Sequence, residues 1–418
     1  ADTELQAANT IAIQTSAGLH LTGADAKPML YAGPAITKGA VLGLKGIPKA
    51  KRVLIVGVIG DSTTDSLNGR MTDFSDEDVA SLASNMVSSA VGQLAAGGMR
   101  DQAKAGATII TEKAIGALSK TGLAADKTVS VSQAMVSGSI SQLGTVITDQ
   151  NEIVDAIGAV TEKSVEAYTL NGFDSELASE AMGSITAASV SSLGKVGLTS
   201  DSLVSAVGEI NRRSVIGLSK TSLKQTHFKA TVKKITASAM ASLKSGITDE
   251  STLKEASSVV AAGVVKGIAG AGEDLSADDI VSEVMSTAME NVAATGLTED
   301  VIATEIVDKI ADKTIASVGE VGVEDSTQRQ VLVKAVVNGT VKSLDKAVKD
   351  ASKLQAAVSR FSGSVTKALH QTGAAEDEIA SLATDVASET IKVSGEVFED
   401  DDVVDAVAGD VESSVSTG

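Results

Sequence analysis

A 25-residue period of apolar residues constrains this chain more than any other feature of its sequence. Every twenty-fifth residue from Met135 to Ile310 is apolar, and after one inserted residue the series continues from Val336 to Val411. The residues four and eight places further on are mostly small or apolar, a spacing that defines one face of an α-helix. The sequence therefore predicts one helix for each 25-residue repeat. The twelve positions are Met135, Val160, Ile185, Ile210, Ile235, Val260, Met285, Ile310, Val336, Phe361, Val386 and Val411.

Glycines mark the ends of these predicted helices. A glycine can adopt the left-handed backbone that closes a helix, and a Thr, Asp or Ser shortly after it can cap the next helix. Short connections favour antiparallel neighbours. We therefore predict a mostly α fold in which antiparallel single-helix repeats form an α-solenoid or helical array over residues 75–418, with about 13 or 14 helices. The glycines are Gly122, Gly172, Gly197, Gly246, Gly296 and Gly322.

Residues 1–74 have a different composition. All three prolines lie before residue 50, and glycines and prolines separate several short apolar stretches. This pattern is typical of short strands joined by turns. We therefore expect a strand-rich N-terminal arm or small β segment ahead of the helical array. The apolar stretches are Ile11–Ile13, Leu19–Leu21, Val41–Leu44 and Val53–Val56.

Composition excludes several classes of function. The 54 acidic and 35 basic residues give a net charge of −19, which argues against nucleic acid and anionic membranes as partners. The absence of cysteine excludes a disulfide scaffold and a thiolate zinc site, and 2% aromatic residues disfavour a bulky ligand pocket. No run of apolar residues is long enough to predict a transmembrane helix. We expect no cofactor, and the start at Ala1 rather than Met predicts an exported, extracellular or cell-surface protein after signal-peptide removal.

One short motif indicates chemistry. Gly60-Asp61-Ser62 follows the apolar run from Val53 to Ile59, and it resembles the first block of the SGNH (GDSL-type) esterases. That resemblance implies a nucleophilic serine at Ser62, which needs a histidine base. The family supplies this base from an Asp-x-x-His block, whereas here Ala17, Lys224 and Lys367 stand three residues before the three histidines. We therefore predict no enzyme activity.

Two acidic segments could bind a cation. Asp61, Thr63 and Asp65 alternate as in a calcium loop, but Ser66 stands where such a loop requires glycine. The run from Glu399 to Asp402 is the second segment, although acids are also typical of a helix start. Weak calcium binding at either place stays open.

Charge is unevenly distributed along the predicted array. Residues 212–234 carry seven bases and no acid, whereas residues 396–412 carry eight acids and no base. One interpretation is two solvated faces of opposite sign. The other is a contact between the acidic end of one subunit and the basic middle of another.

The regular repeat and the lack of catalytic groups favour a non-enzymatic structural protein. We predict export and self-assembly as a homo-oligomer or homopolymer, in an extracellular filament, sheath or surface layer. The alternative is a soluble α-solenoid scaffold that binds a protein or peptide, although the sequence has few Tyr, Trp or Arg anchors for such an interface. The predicted subunit contacts are Val53, Leu54, Ile55, Val56, Arg212, Arg213, Lys233, Lys234, Asp400, Asp401 and Asp402.

Overall fold

A computed structural model of the chain describes residues 26–65, 74–170, 172–221, 223–271, 277–320, 325–398 and 401–417. These residues fall into two compact units, which meet in sequence at Leu223 and Lys224. The first unit contains helices α1 (Ala26–Gly43), α2 (Lys49–Asp65), α3 (Asp76–Gly92), α4 (Ala103–Ala117), α5 (Ala125–Val146), α6 (Gln150–Leu170), α7 (Ser175–Ser191) and α8 (Ser200–Ser219).

The second unit continues the same architecture. Its helices are α9 (Gln225–Gly246), α10 (Glu250–Ala269), α11 (Ala277–Val292), α12, α13 (Ser326–Ala347), α14 (Ala351–Ala368), α15 (Glu376–Val397) and α16 (Asp401–Thr417). Helix α12 is a composite of Glu299–Val301, a π-helical turn at Ile302–Ile306 and Val307–Glu320. The predicted helical repeat array is therefore present, and α3 to α16 lie in the segment that was expected to be helical.

Within each unit the helices stack on their next-but-one neighbours. In the first unit, α1, α3, α5 and α7 form one stack and α2, α4, α6 and α8 form the other. In the second unit, the odd-numbered helices from α9 to α15 and the even-numbered helices from α10 to α16 are stacked in the same way. Consecutive helices pack across the two layers. The structural repeat is thus a pair of helices, because each helix finds its stacked neighbour two repeats further along the chain.

The predicted apolar series forms the core of both units. All twelve positions are buried, with at most 1% of each side chain's reference area exposed. The small residues four places further on, such as Ser139 and Ser189, are fully buried as well. Large residues eight places further on, including Leu143 and Tyr168, are also fully buried. The three positions of each repeat therefore face the space between the layers, as one helix face should.

Hydroxyl groups join consecutive helices inside this core. The Thr161 hydroxyl donates to the Ser189 hydroxyl over 2.9 Å, and Thr111 donates to Ser139 over 2.8 Å. Both pairs lie 28 residues apart, between helices of opposite layers. The Thr161 hydroxyl also lies 2.9 Å from the Ile157 carbonyl of its own helix. Since a buried polar group is costly unless it has a partner, this pairing permits the serines and threonines of the repeat to occupy the core.

Left-handed glycines close several helices as the sequence predicts. Gly122, Gly172, Gly197 and Gly296 have φ angles between 68° and 82°. Thr199 then caps α8 by accepting the Ser202 backbone N–H over 3.3 Å. The prediction was wrong for Gly246, which is the last residue of α9, while Gly322 lies outside the described residues.

A different connection follows α9. Ile247 adopts an extended backbone and is buried, which reverses the chain without a left-handed residue. Asp249 then accepts the Thr252 backbone N–H over 2.7 Å and caps α10. An apolar residue in an extended conformation thus replaces the left-handed glycine at this turn.

The predicted strands near the N-terminus were wrong where the structure describes them. Val41–Leu44 lies at the end of α1 and in the 3₁₀ turn after it, and Val53–Val56 lies inside α2. Ile55, Val56 and Ile59 are buried, and their spacing places them on one face of a helix. A short apolar run of this kind is therefore compatible with a buried helix as well as with a strand. No strand occurs among the residues that the structure describes. The stretches Ile11–Ile13 and Leu19–Leu21 lie outside them.

Candidate interaction surfaces

Charged side chains connect several of the stacked helices in both units. Lys104 on α4 pairs with Asp155 on α6, and Lys127 on α5 pairs with Asp76 on α3 at 2.7 Å. In the second unit, Arg329 on α13 pairs with Glu378 on α15 at 2.7 Å, a separation of 49 residues along the chain. The opposite charges on successive helices of a stack therefore complement each other. An acid on one helix and a base on the next is thus a recurring contact between stacked helices in this protein.

The basic segment of residues 212–234 begins in the first unit, and its residues there belong to such a cluster. Arg213 lies 2.6 Å from Glu162 and 2.7 Å from Glu209, and Glu209 also pairs with Arg212 at 2.6 Å. Lys220 is a second cationic partner of Glu162. Burial opposes the ionised form of Glu162, but hydrogen bonds from Lys220 and Arg213 outweigh that penalty and lower the pKa of its carboxyl.

The predicted contacts Arg212, Arg213, Lys233 and Lys234 all have partners within the chain. Lys233 pairs with Glu283 at 2.6 Å, and Lys234 also interacts with a neighbouring group. Arg212 and Arg213 bind acids on their own and the adjacent stacked helix. These four bases therefore interact within the chain, and their role in a subunit contact stays a prediction.

The predicted contact Val53–Val56 divides into buried and exposed residues. Ile55 and Val56 belong to the core of the first unit, and Val53 is half-buried. Leu54 instead has 62% of its side chain exposed. Among the described large apolar residues, Leu42 on α1 and Val331 on α13 are the other two that are exposed, at 38% and 39%. Two of these three exposed apolar side chains thus lie on the helical pair α1–α2. The sequence did not predict the exposure of Leu42, because the stretch Val41–Leu44 was assigned to a strand.

The acidic C-terminal segment forms the last described helix. Asp401 and Asp402 begin α16, whereas Glu399 and Asp400 lie outside the described residues. Asp405, Asp410 and Glu412 on α16 are exposed, while Val407 and Val411 on the same helix are fully buried. Helix α16 therefore packs on its unit through valines and presents carboxylates at its surface.

The esterase-like motif lies within a helix. Ser62 is 4% exposed and lies inside α2, whereas the esterases that it resembles hold this serine after a strand. Asp61 and Asp65 lie on the same helix, which differs from the loop that an alternating calcium site requires. Across the described ranges, no group of three or more His, Asp or Glu side chains could hold a metal ion. Within the same ranges, none of the helices has both the length and the apolar character needed to cross a bilayer.

One open groove lies on the even-numbered stack of the first unit. It has a volume of about 560 Å³ and is lined by residues of α2, α4, α6 and α8. Val53 and Ile109 form its apolar part, and Lys104, Glu162 and Arg213 form its charged part. A groove of this size and mixed character could accommodate a short segment of another chain.

The comparisons with known proteins give no family. No family model matches the chain, and no curated protein matches it. Among solved structures, it is similar to a "circular tandem repeat protein with novel repeat topology and enhanced subunit contact surfaces". The sequence identity is 10%, the TM-score is 0.34, and the alignment covers 99% of this chain and 94% of the other. At that TM-score the likeness supports no inference about function.

Proposed function

We propose that this protein is a non-enzymatic structural protein that associates with copies of itself into a filament, sheath or layer. The observation that carries the proposal is the exposure of Leu42 and Leu54 on the helical pair α1–α2. Repeat arrays that stay monomeric need terminal repeats with a polar outer face. Exposed apolar side chains on a terminal repeat instead favour contact with another chain.

The use of charge inside each unit supports the same proposal. The buried or half-buried ions of the array, such as Glu162, Arg213 and Arg329, are satisfied by acids or bases of the same chain. They therefore stabilise the stack rather than leaving a group of unpaired ions for catalysis. The function we infer thus resides in the surfaces of the array and its ends.

Self-association is tested by sedimentation velocity and negative-stain microscopy over a series of protein concentrations. We expect polymers that grow with concentration. We also expect Leu54→Asp to raise the concentration required for assembly by about ten- to a hundredfold, because burial of a leucine contributes about 1.5–3 kcal/mol. Val331→Asp is the matched control, since it changes an exposed apolar residue outside α1–α2. A wild-type protein that stays monomeric at every concentration would contradict the proposal.

The scaffold function remains the second candidate because of the groove in the first unit. Its mixed lining of Ile109, Lys104 and Glu162 would suit a short amphipathic peptide. A monomeric wild type would favour this candidate, and a peptide-library screen with a Lys104→Glu control would then test it. An extracellular or cell-surface location stays a prediction, which cell fractionation can check.

A further inference from the structure

The two terminal helical pairs carry opposite charge. Residues 26–65, which span α1 and α2, contain six bases and only two acids, Asp61 and Asp65, although the whole chain has a net charge of −19. Residues 396–412, which include the end of α15 and most of α16, contain eight acids and no base. Two short segments of opposite sign thus lie at opposite ends of the described helical sequence.

Side chains of both segments are exposed. Lys38 on α1 and Lys45 in the turn after α1 are exposed, and Leu54 lies on the same helical pair with 62% of its side chain exposed. On α16, the exposed acids are Asp405, Asp410 and Glu412. The first pair therefore offers exposed bases and an exposed apolar side chain, and the last pair offers acids.

The internal contacts show how such surfaces fit together. Several stacked pairs within a unit are joined by acids on one helix and bases on the next, as in Asp300–Lys353 at 2.5 Å between α12 and α14. Arg329–Glu378 makes the same kind of contact between α13 and α15. The charges of α16 and of α1–α2 have the signs that a further stacked pair of this kind requires. Oppositely charged faces also select one orientation and accelerate encounter.

We propose that α1–α2 of one copy stacks on α15–α16 of a second copy, so that chains join head to tail. The proposal rests on the self-association proposed above and names the two surfaces that meet. The basic side chains of the first pair contact the carboxylates of α16, and the apolar side chains around Leu54 become buried. The contact is heterologous, because a different surface is used on each copy, and it therefore generates a filament or a closed ring.

Charge reversal at each end tests the pairing. The head variant carries Lys38→Glu, Lys45→Glu and Lys51→Glu, and the tail variant carries Asp405→Lys, Asp410→Lys and Glu412→Lys. We expect each variant alone to lose assembly at concentrations where the wild type polymerises, because like charges then meet at the contact. An equimolar mixture of the two variants should recover assembly. The acidic head of one variant then meets the basic tail of the other, and the acidic tail of the first meets the basic head of the second.

A control variant separates this contact from a general charge effect. Lys195→Glu, Lys244→Glu and Lys367→Glu produce the same change in net charge as the head variant, at exposed positions on other repeats. We expect this control to assemble like the wild type. Circular dichroism checks that each variant is folded. Recovery of assembly in the mixture is a second, independent indication that both variants are folded.

The outcomes distinguish the two proposals. A wild type that never associates overturns both. If the wild type polymerises and the head and tail variants do so equally well, the head-to-tail contact is wrong while self-association stands. Loss of assembly in the control variant, or a mixture that stays monomeric, also overturns the pairing of these two ends.

Discussion

The substitution Gly339→Ala tests how closely the helices of this array are stacked. Gly339 lies in α13, and a Cβ atom at this position would lie 2.8 Å from the carbonyl carbon of Ser282 on α11, and still closer to its oxygen. It would also lie 2.9 Å from the Cβ atom of Met285. Real Cβ atoms essentially never approach another heavy atom within 3.0 Å, and a backbone carbonyl cannot rotate away as a side chain does. The two helices must therefore move apart to accept the methyl group.

The expected magnitude follows from two opposing effects. Alanine is favoured over glycine inside a helix by about 1 kcal/mol, which would stabilise the protein. Overpacking of a well-packed core costs typically about 1–3 kcal/mol, and a stack opened by 0.5–1 Å also loses roughly a quarter to a half of each dispersion contact across it. Because backbone rather than a flexible side chain is displaced, we expect the upper end of that cost, and a net loss of about 2 kcal/mol. For a unit of this size, that corresponds to a decrease in Tm of about 4–8 °C.

The assay is thermal and urea unfolding followed by circular dichroism at 222 nm. Gly395→Ala on α15 is the matched control, because no atom lies within 4 Å of its added methyl group. We expect this control to be neutral or to stabilise by up to about 1 kcal/mol. If Gly339→Ala is as stable as Gly395→Ala, the close approach of α11 and α13 described here is wrong.

Three further substitutions test other parts of the core. Ile210→Asp should lower the free energy of unfolding by several kcal/mol, because it places an unpaired charge at a fully buried position; a wild-type melting curve would refute the 25-residue phase. Thr161→Val should lower the free energy of unfolding in urea by about 1 kcal/mol. Ser189→Ala should cost less in the Thr161→Val background than in the wild type, because the two hydroxyls share one hydrogen bond; strictly additive costs would exclude that coupling. Because the folded-state pKa of Glu162 is lowered, its stabilisation is fully present above the ordinary pKa of 4.5 and is lost as the pH falls through the lowered folded-state pKa. The stability difference between wild type and Glu162→Gln should therefore shrink as the pH falls below 4.5, and a constant difference would argue against the ion cluster.

The sequence predicts the core of this protein better than its layers. The periodic positions from Met135 to Val411 identify the buried face correctly, because apolar spacing reports directly which side of a helix avoids water. Apolar spacing does not report which helix lies against that face, and the stacking of next-but-one helices was therefore not predicted. The separation of complementary charges contains that signal, since Lys233–Glu283 spans 50 residues, or two repeats.

The N-terminal error has a different cause. Val53, Leu54, Ile55 and Val56 form a run of four apolar residues, and so short a run fits a strand or a buried helix equally well. Tertiary contact decides between them here. A Cβ atom at Gly60 would lie 2.7 Å from the Ile110 carbonyl oxygen on α4, a close helix-to-helix approach that sequence periodicity does not reveal. The candidate surfaces were predicted only in part for a similar reason, because the exposure of a side chain depends on which neighbouring helices cover it. Leu54 was predicted to be a subunit contact and is exposed, whereas the exposed Leu42 was not predicted as a contact.

The stacking of each helix on its next-but-one neighbour also bears on how the chain folds. Contacts between helices within a unit join helices that are consecutive or next-but-one along the chain, so folding can begin at any helical pair and spread along the array. A helical pair at the end of such an array is supported on one side only, and its amide protons should therefore exchange with solvent sooner than those of interior pairs. If a second copy covers α1–α2 or α15–α16, these pairs gain the support that interior pairs already have. Polymerisation would then complete the folding of the ends, and the last helices of a chain would become fully ordered only when the next chain is in place.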